Sequence, residues 1–344
     1  MVKKIFFFLL PVVAFLTASA EEMYVDGKTG SDNNIGTKRQ PLKTIAEAAK
    51  RINGNSRKEA ATIILSEGVY PLTETVLFNN NKFSVENRLT IRAEILPDDE
   101  NWSPQRMPII TTVIPGTPTP KDGEESRGIE IDVSHATIEG LRFTGSPVYY
   151  YIQGFEYRRY YPVWRDGKNL DDLLVTQCMF AGNVDVMPIR VAVVANGNGL
   201  VVDHCVFFNC QNSVVFWDAA GGTSYHNAMR YCLVYESNYS GVWTTTSTAN
   251  DFEFHHNIIA NCRTGWVRDI KSIHNYHVHD CIYANNMEFT GAGDDNVIDS
   301  VFLKMDCVQL TGNIEIEKDQ GKNNYLQLKE GSFGSGLKAG LFKK

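Results

Sequence analysis

Two groups of residues in this chain combine side-chain types able to act on an acidic polymer. The first holds Lys271, Arg268, Asp269 and Asp218 as candidate catalytic groups. A lysine with cationic neighbours can take the proton α to a carboxylate, and an adjacent arginine can hold that carboxylate as charge builds. Asp218 and Asp269 alone form a carboxylate pair of the kind that hydrolyses glycosidic bonds. With Asp251 they also offer the oxygen ligands that Ca²⁺ takes. The second group holds Arg230, His255 and His279. Trp217, Trp243, Tyr160, Trp164 and Arg158 add flat faces and cations suited to binding a sugar ring and its acidic substituents. For each group the plainer alternative is a solvated face of ion pairs.

These residues are far apart in sequence, so repeated elements must bring them together. One phrase recurs: an apolar residue, two polar ones, a cysteine or apolar residue, any residue, an apolar residue. Its fourth position falls at Leu141, Cys178, Cys205, Cys232, Asn257, Cys281 and Val301, at spacings of 37, 27, 27, 25, 24 and 20 residues. A period in this range signals a stacked array. The phrases alternate with period two, and a second short run rich in β-branched and aromatic residues follows them, as in 214–217, 241–246, 265–268 and 308–311. That pattern excludes helical repeats, and the spacing is too short for propeller blades. It predicts an all-β solenoid, a single-stranded parallel β-helix with coils about 4.8 Å apart.

Stacking sorts the polar positions into rows. One outward row reads Glu139, Thr176, Asp203, Arg230, His255, His279, Asp299, and the next reads Gly140, Gln177, His204, Tyr231, His256, Asp280, Ser300. Aligning Val214, Gly241 and Gly265 puts Trp217, Thr244 and Arg268 in one row, with Asp218, Thr245 and Asp269 in the next. Asp218 and Asp269 are then about 9.6 Å apart, a spacing compatible with an inverting pair.

Composition sets outer bounds. Of 344 residues 43% are hydrophobic, enough for one elongated domain, and the net charge of −7 with no basic stripe excludes nucleic acid as a partner. Residues 1–20 read as a signal peptide: Lys3 and Lys4, an apolar run, then Ala18, Ser19 and Ala20. The expected location is therefore periplasmic or extracellular, with no membrane span after cleavage. The seven cysteines are odd in number, and four share one inward row, so a buried thiol row is favoured over disulfides.

The expected single domain covers 21–344: a cap at 23–53, coils over about 61–312, a closing segment at 313–344 and an aromatic insertion at 147–172. The cap combines a strand, a Gly/Asn/Asp-rich loop and an amphipathic helix in which Thr44 and Glu47 have capping-box spacing. The run YVDGKTGSDNNIGTKRQPLKTIAEA resembles the N-terminal cap of secreted right-handed parallel β-helix proteins of the pectate lyase-like superfamily. IILSEGVY is similar to the first coil that follows such a cap, and YLQLKEGS to their closing segment, with Phe333 where proline is usual. The resemblance spans roughly 23–337 and implies right-handedness and a polysaccharide partner for a monomer. The activity implied is foremost a lyase acting on a uronic-acid glycan, with Ca²⁺ as the cofactor such lyases can use. A glycoside hydrolase and a non-catalytic polysaccharide-binding protein remain open, because the superfamily contains all three.

Overall fold

The computed structural model describes residues 21–114, 117–119, 123–147, 159–165, 170–217, 224–245, 251–268, 276–291, 307–310 and 313–344; of these, 117–119, 123–124, 159, 268, 290–291 and 307–310 are described by backbone only. The chain winds through three long sheets. The first two are wholly parallel. The third is parallel except for one hairpin strand, Thr117–Thr119, antiparallel to Gly123–Ile131. Each coil contributes one strand to each sheet in turn, for example Asn198–Asp203, Val206–Phe208 and Asn212–Phe216. This is a right-handed parallel β-helix, the hand that nearly all parallel crossovers take.

The corners explain how coils this short close. Between the first and second sheets the chain turns on a single residue in the left-handed region: Gly140, Gln177, His204, Tyr231, His256 and Asp280, with φ of 72°, 52°, 48°, 51°, 55° and 50°. Between the second and third sheets Asn209, Glu236, Asn261 and Asn285 do the same at 52–58°. For a residue other than glycine this conformation costs about 1–2 kcal/mol. The cost is offset because corner amides still bond to the next coil, as in His204 N to Arg230 O at 3.1 Å and Asn261 N to Ala284 O at 2.9 Å.

Alternation along the strands fills the interior. Cys178, Cys205, Cys232 and Cys281 stack in one inward row, and each thiol donates to a carbonyl of the preceding coil, as Cys232 Sγ does to Val202 O at 3.6 Å. The six cysteines with described side chains are free and buried. Phe143, Phe180 and Phe207 stack in another inward row, with centroids 4.9 and 5.0 Å apart. At the N-terminal end, helix Ile45–Gly54 buries Ile45, Ala48, Ala49 and Ile52 over the open coil. Thr44 Oγ1 accepts from Glu47 N at 3.1 Å, but the reciprocal bond comes from Asp32, which accepts from Thr44 N, while Glu47 pairs with Arg51. No helix among the described residues is long and apolar enough to cross a membrane.

Four features depart from the sequence reading. The register partner of Cys281 is Cys307, a step of 26 residues that restores the usual spacing, where the sequence reading placed Val301, which lies outside the described residues; 308–310 belongs to the second sheet. In the third sheet Val214 pairs with Val242, so Phe216 and not Trp217 shares the row of Thr244 and Arg268. A one-residue slip reverses which face a side chain takes, and Trp217 is accordingly exposed. The aromatic insertion is not wholly an excursion, because Arg159–Arg165 is a regular third-sheet strand. The closing segment lies lengthwise on the outer face of the second sheet, where Ile314, Ile316, Tyr325, Leu326 and Leu341 pack with Val206, Leu233 and Ile258.

Candidate functional site

The outer face of the first sheet presents the richest chemistry. Its strands bury Val202, Met229 and Phe254, so alternation turns Asp203, Arg230, His255 and His279 outward on successive coils. The sequence-derived row is thus assembled as expected from Glu139 through His279. Beside it runs the corner row, whose left-handed backbone projects His204, Tyr231, His256 and Asp280 over the sheet edge.

The two rows interlock. Arg230 Nε donates to Asp203 Oδ1 at 2.9 Å, and His204 Nδ1 lies 3.1 Å from Asp203 Oδ2. Tyr231 stacks between His204 and His256, with centroids at 4.7 and 4.6 Å. His255 stacks on His279 at 4.8 Å, and its Nδ1 meets His256 Nδ1 at 3.1 Å. His279 Nδ1 contacts Asp280 Oδ2 at 2.8 Å.

Exposure is graded along the stack. Thr176, Gln177, Asp203 and His204 are buried, whereas Arg230 through Asp280 are open or half-open. The C-terminal segment makes the difference. Gln177 Nε2 donates to Leu341 O at 2.8 Å, Gly340 N to Tyr231 O at 2.8 Å, and Lys343 Nζ reaches Glu139 at 3.4 Å. Burial alone would raise the Asp203 carboxyl, but His204 and Arg230 overcome it and hold the group below its ordinary value. Burial, reinforced by His279, His256 and Arg230 and opposed by Asp203, pushes His255 down to about 4, so it is neutral at pH 7.

Of the expected site residues, the fold brings together Arg230, His255 and His279. Trp217 and Trp243 meet edge to face at 6.1 Å on the third sheet, a different face. Trp164 also lies on the outer side of the third sheet, with one ring face taken by the Arg127 guanidinium at 4.1 Å. Tyr160 is not a sugar-facing ring: it is wholly buried in the main core, because its strand turns Tyr160 and Val163 inward. Arg268 holds the register position opposite Thr244. Lys271, Asp269, Asp218 and Arg158 lie outside the described residues. So do two of the three carboxylates expected to hold Ca²⁺; the third, Asp251, lies 3.8 Å from His277.

Asp203, Tyr231, His256 and Asp280 complete the cluster without having been singled out as site residues. The signal available for three of them was their place immediately before the inward cysteine row, a corner position that favours Gly, Asn, Asp and His.

No family model and no curated protein sequence matches this chain. Among solved structures, it is similar to a pectin methylesterase from Aspergillus niger at 12% identity, covering 88% of this chain and 94% of that one with a TM-score of 0.40. A rhamnogalacturonan lyase is similar at 13% identity, with 78% and 75% covered and a TM-score of 0.40. A GH136 lacto-N-biosidase from Eubacterium ramulus is similar at 11%, with 85% and 67% covered and a TM-score of 0.34. At these identities the likeness is one of fold.

Proposed function

We propose that this is an exported carbohydrate-active protein whose first-sheet face cleaves a uronic-acid glycan by β-elimination. The observation that carries the reading is the register pairing of Arg230 with His255 on the half-open part of that face. Elimination requires a cation at the uronate carboxylate, a base for the proton α to it and an acid for the departing glycosidic oxygen. Arg230 uses Nε for Asp203, leaving its terminal amino groups to clasp a carboxylate in the fork geometry arginine favours. His255 has Nδ1 turned to His256, which leaves Nε2 to take the proton. The C–H electron pair forms the new double bond as the C–O bond breaks, and the Tyr231 hydroxyl, on the same coil as Arg230, protonates the leaving oxygen.

Lys271 with Arg268 is the rival base and carboxylate pair for the same reaction, and variants separate the two. The protein is incubated with uronate and neutral polysaccharides, with and without Ca²⁺, following unsaturated-uronate absorbance and reducing ends together. Both signals should rise, and Arg230→Ala and His255→Ala should each slow turnover about 100-fold or more. Loss in Lys271→Ala with Arg230→Ala unaffected would move the site to Lys271 and Arg268. Reducing ends alone would mean hydrolysis and point to Asp218 and Asp269. Neither signal, with retardation in a polysaccharide gel, would leave a binding protein. Sequencing the N-terminus of the exported protein tests the signal peptide: a chain beginning at Glu21 is expected.

A further inference from the structure

We propose that His256, His279 and Asp280 form a binding site for a divalent transition-metal ion of the Zn²⁺ class. One donor atom from each lies within 4.8 Å of the other two. Ligands about 2.0–2.1 Å from a tetrahedral ion are about 3.4 Å apart. The three side chains are half-open or exposed, so their χ angles are free to adjust to an ion, which would replace the 2.8 Å contact between His279 Nδ1 and Asp280 Oδ2 if it took either atom.

The rings are already held in place. His256 packs on Tyr231 at 4.6 Å, and His279 packs on His255 at 4.8 Å with 12° between planes. His256 Nδ1 meets His255 Nδ1 at 3.1 Å, and with His256 as the donor its Nε2 is left to ligate the ion. A ligating imidazole commonly has its second nitrogen fixed in this way. His256 and Asp280 both sit at left-handed corners on adjacent coils, with φ of 55° and 50°. Their spacing is therefore set by the coil repeat. Two imidazoles and one carboxylate suit Zn²⁺, Co²⁺ or Ni²⁺, whereas Ca²⁺ prefers oxygen ligands alone. Three protein ligands leave one tetrahedral position open.

An overlapping set of Glu253, His255 and His279 shares His279, so the two cannot be filled at once. The corner set is favoured because it leaves His255 to orient His256, whereas the Glu253 carboxylate is exposed and no described hydrogen bond fixes it. Binding does not depend on the elimination reading. The ion would lie within two coils of Arg230, about 10 Å along the stack; with His256 Nδ1 donating to His255 Nδ1, the His255 proton sits on Nε2, so the ion-bound state and His255 acting as base are alternative states of this face.

The test is titration of the full chain with Co²⁺, without polysaccharide, following visible absorption and calorimetry, then displacement by Zn²⁺. One ion per chain with a four-coordinate spectrum is expected. His256→Ala, His279→Ala and Asp280→Asn should each weaken binding about 100-fold, while Glu253→Gln leaves it unchanged and His255→Ala costs about tenfold. Circular dichroism and melting of each variant separate lost ligands from lost fold, with Asp280→Asn the least disruptive. Binding no tighter than in a His256→Ala/His279→Ala double variant would overturn the proposal. So would loss in Glu253→Gln with Asp280→Asn unaffected, or displacement of Co²⁺ by equimolar Ca²⁺.

Discussion

Asn257 stands in the inward row between Cys232 and Cys281, and replacing it should reveal how corner amides are satisfied. The side chain is fully buried. Its Oδ1 accepts from Cys232 N at 2.9 Å, and its Nδ2 donates to Met229 O at 2.8 Å. The second bond is the one that each cysteine of the row makes with its thiol, as Cys205 Sγ does to Val175 O at 3.5 Å. The first bond is the additional one. Asn257→Leu removes both and strands a donor and an acceptor in a dry interior, at about 1–3 kcal/mol each. The extra apolar burial returns about 1–2 kcal/mol, for a net loss of about 0–5 kcal/mol, centred at about 2–3 kcal/mol. Asn257→Cys keeps a donor for Met229 O and should lose only the amide bond, about 1–3 kcal/mol. The assay is urea unfolding followed by far-ultraviolet circular dichroism and tryptophan fluorescence. The expected stability order is wild type, then Asn257→Cys, then Asn257→Leu, with unchanged m-values. An Asn257→Cys protein as stable as wild type would refute the argument, because the Cys232 amide would then need no partner. So would Asn257→Leu proving more stable than Asn257→Cys.

Further outcomes follow from other contacts. Phe180→Ala opens a hole between two stacked rings and should cost about 3–5 kcal/mol in urea unfolding. Burial would raise the Asp172 carboxyl, but Arg88 and His135 overcome it and hold it below its ordinary value. That contribution is fully present above the unfolded value of about 4 and is lost as pH falls through the lowered folded value. Thermal melts of Asp172→Asn should accordingly match wild type more closely at low pH than at pH 7. Leu341→Asp places a charge in the apolar layer on the second sheet. It should release the C-terminal segment, seen as rapid hydrogen exchange at the Gly340 amide, which is otherwise bonded to Tyr231 O.

Much of this architecture is legible in the chain because a parallel solenoid converts sequence period into spatial rows. Coils pair in register, so residues 24, 25 or 27 positions apart become neighbours, and Asp203, Arg230, His255 and His279 could be placed in one row by counting. Counting fails where spacing is irregular. Val301 matches the repeated phrase, yet backbone pairing selects Cys307, because register is decided by the whole ladder and not by one apolar residue. The same physics moved Trp217 out of the row of Arg268.

The sequence alone therefore determined the coil, the inward thiol row and the outward row of Arg230, His255 and His279, since all three depend on local alternation repeated at a near-constant period. Tertiary structure decided what lies across those rows. It buried Tyr160, because the strand that carries it turns that ring into the core. It laid the C-terminal segment over the second sheet, where Leu341 closes one end of the polar face and leaves the other open. It also turned six successive corners into the left-handed region, and so brought His256 and Asp280 against His279. The burial of Tyr160 and the seating of the C-terminal segment follow no period in the sequence, and the corner contacts depend on left-handed backbone angles that the period leaves open, so only the closed coil could set them.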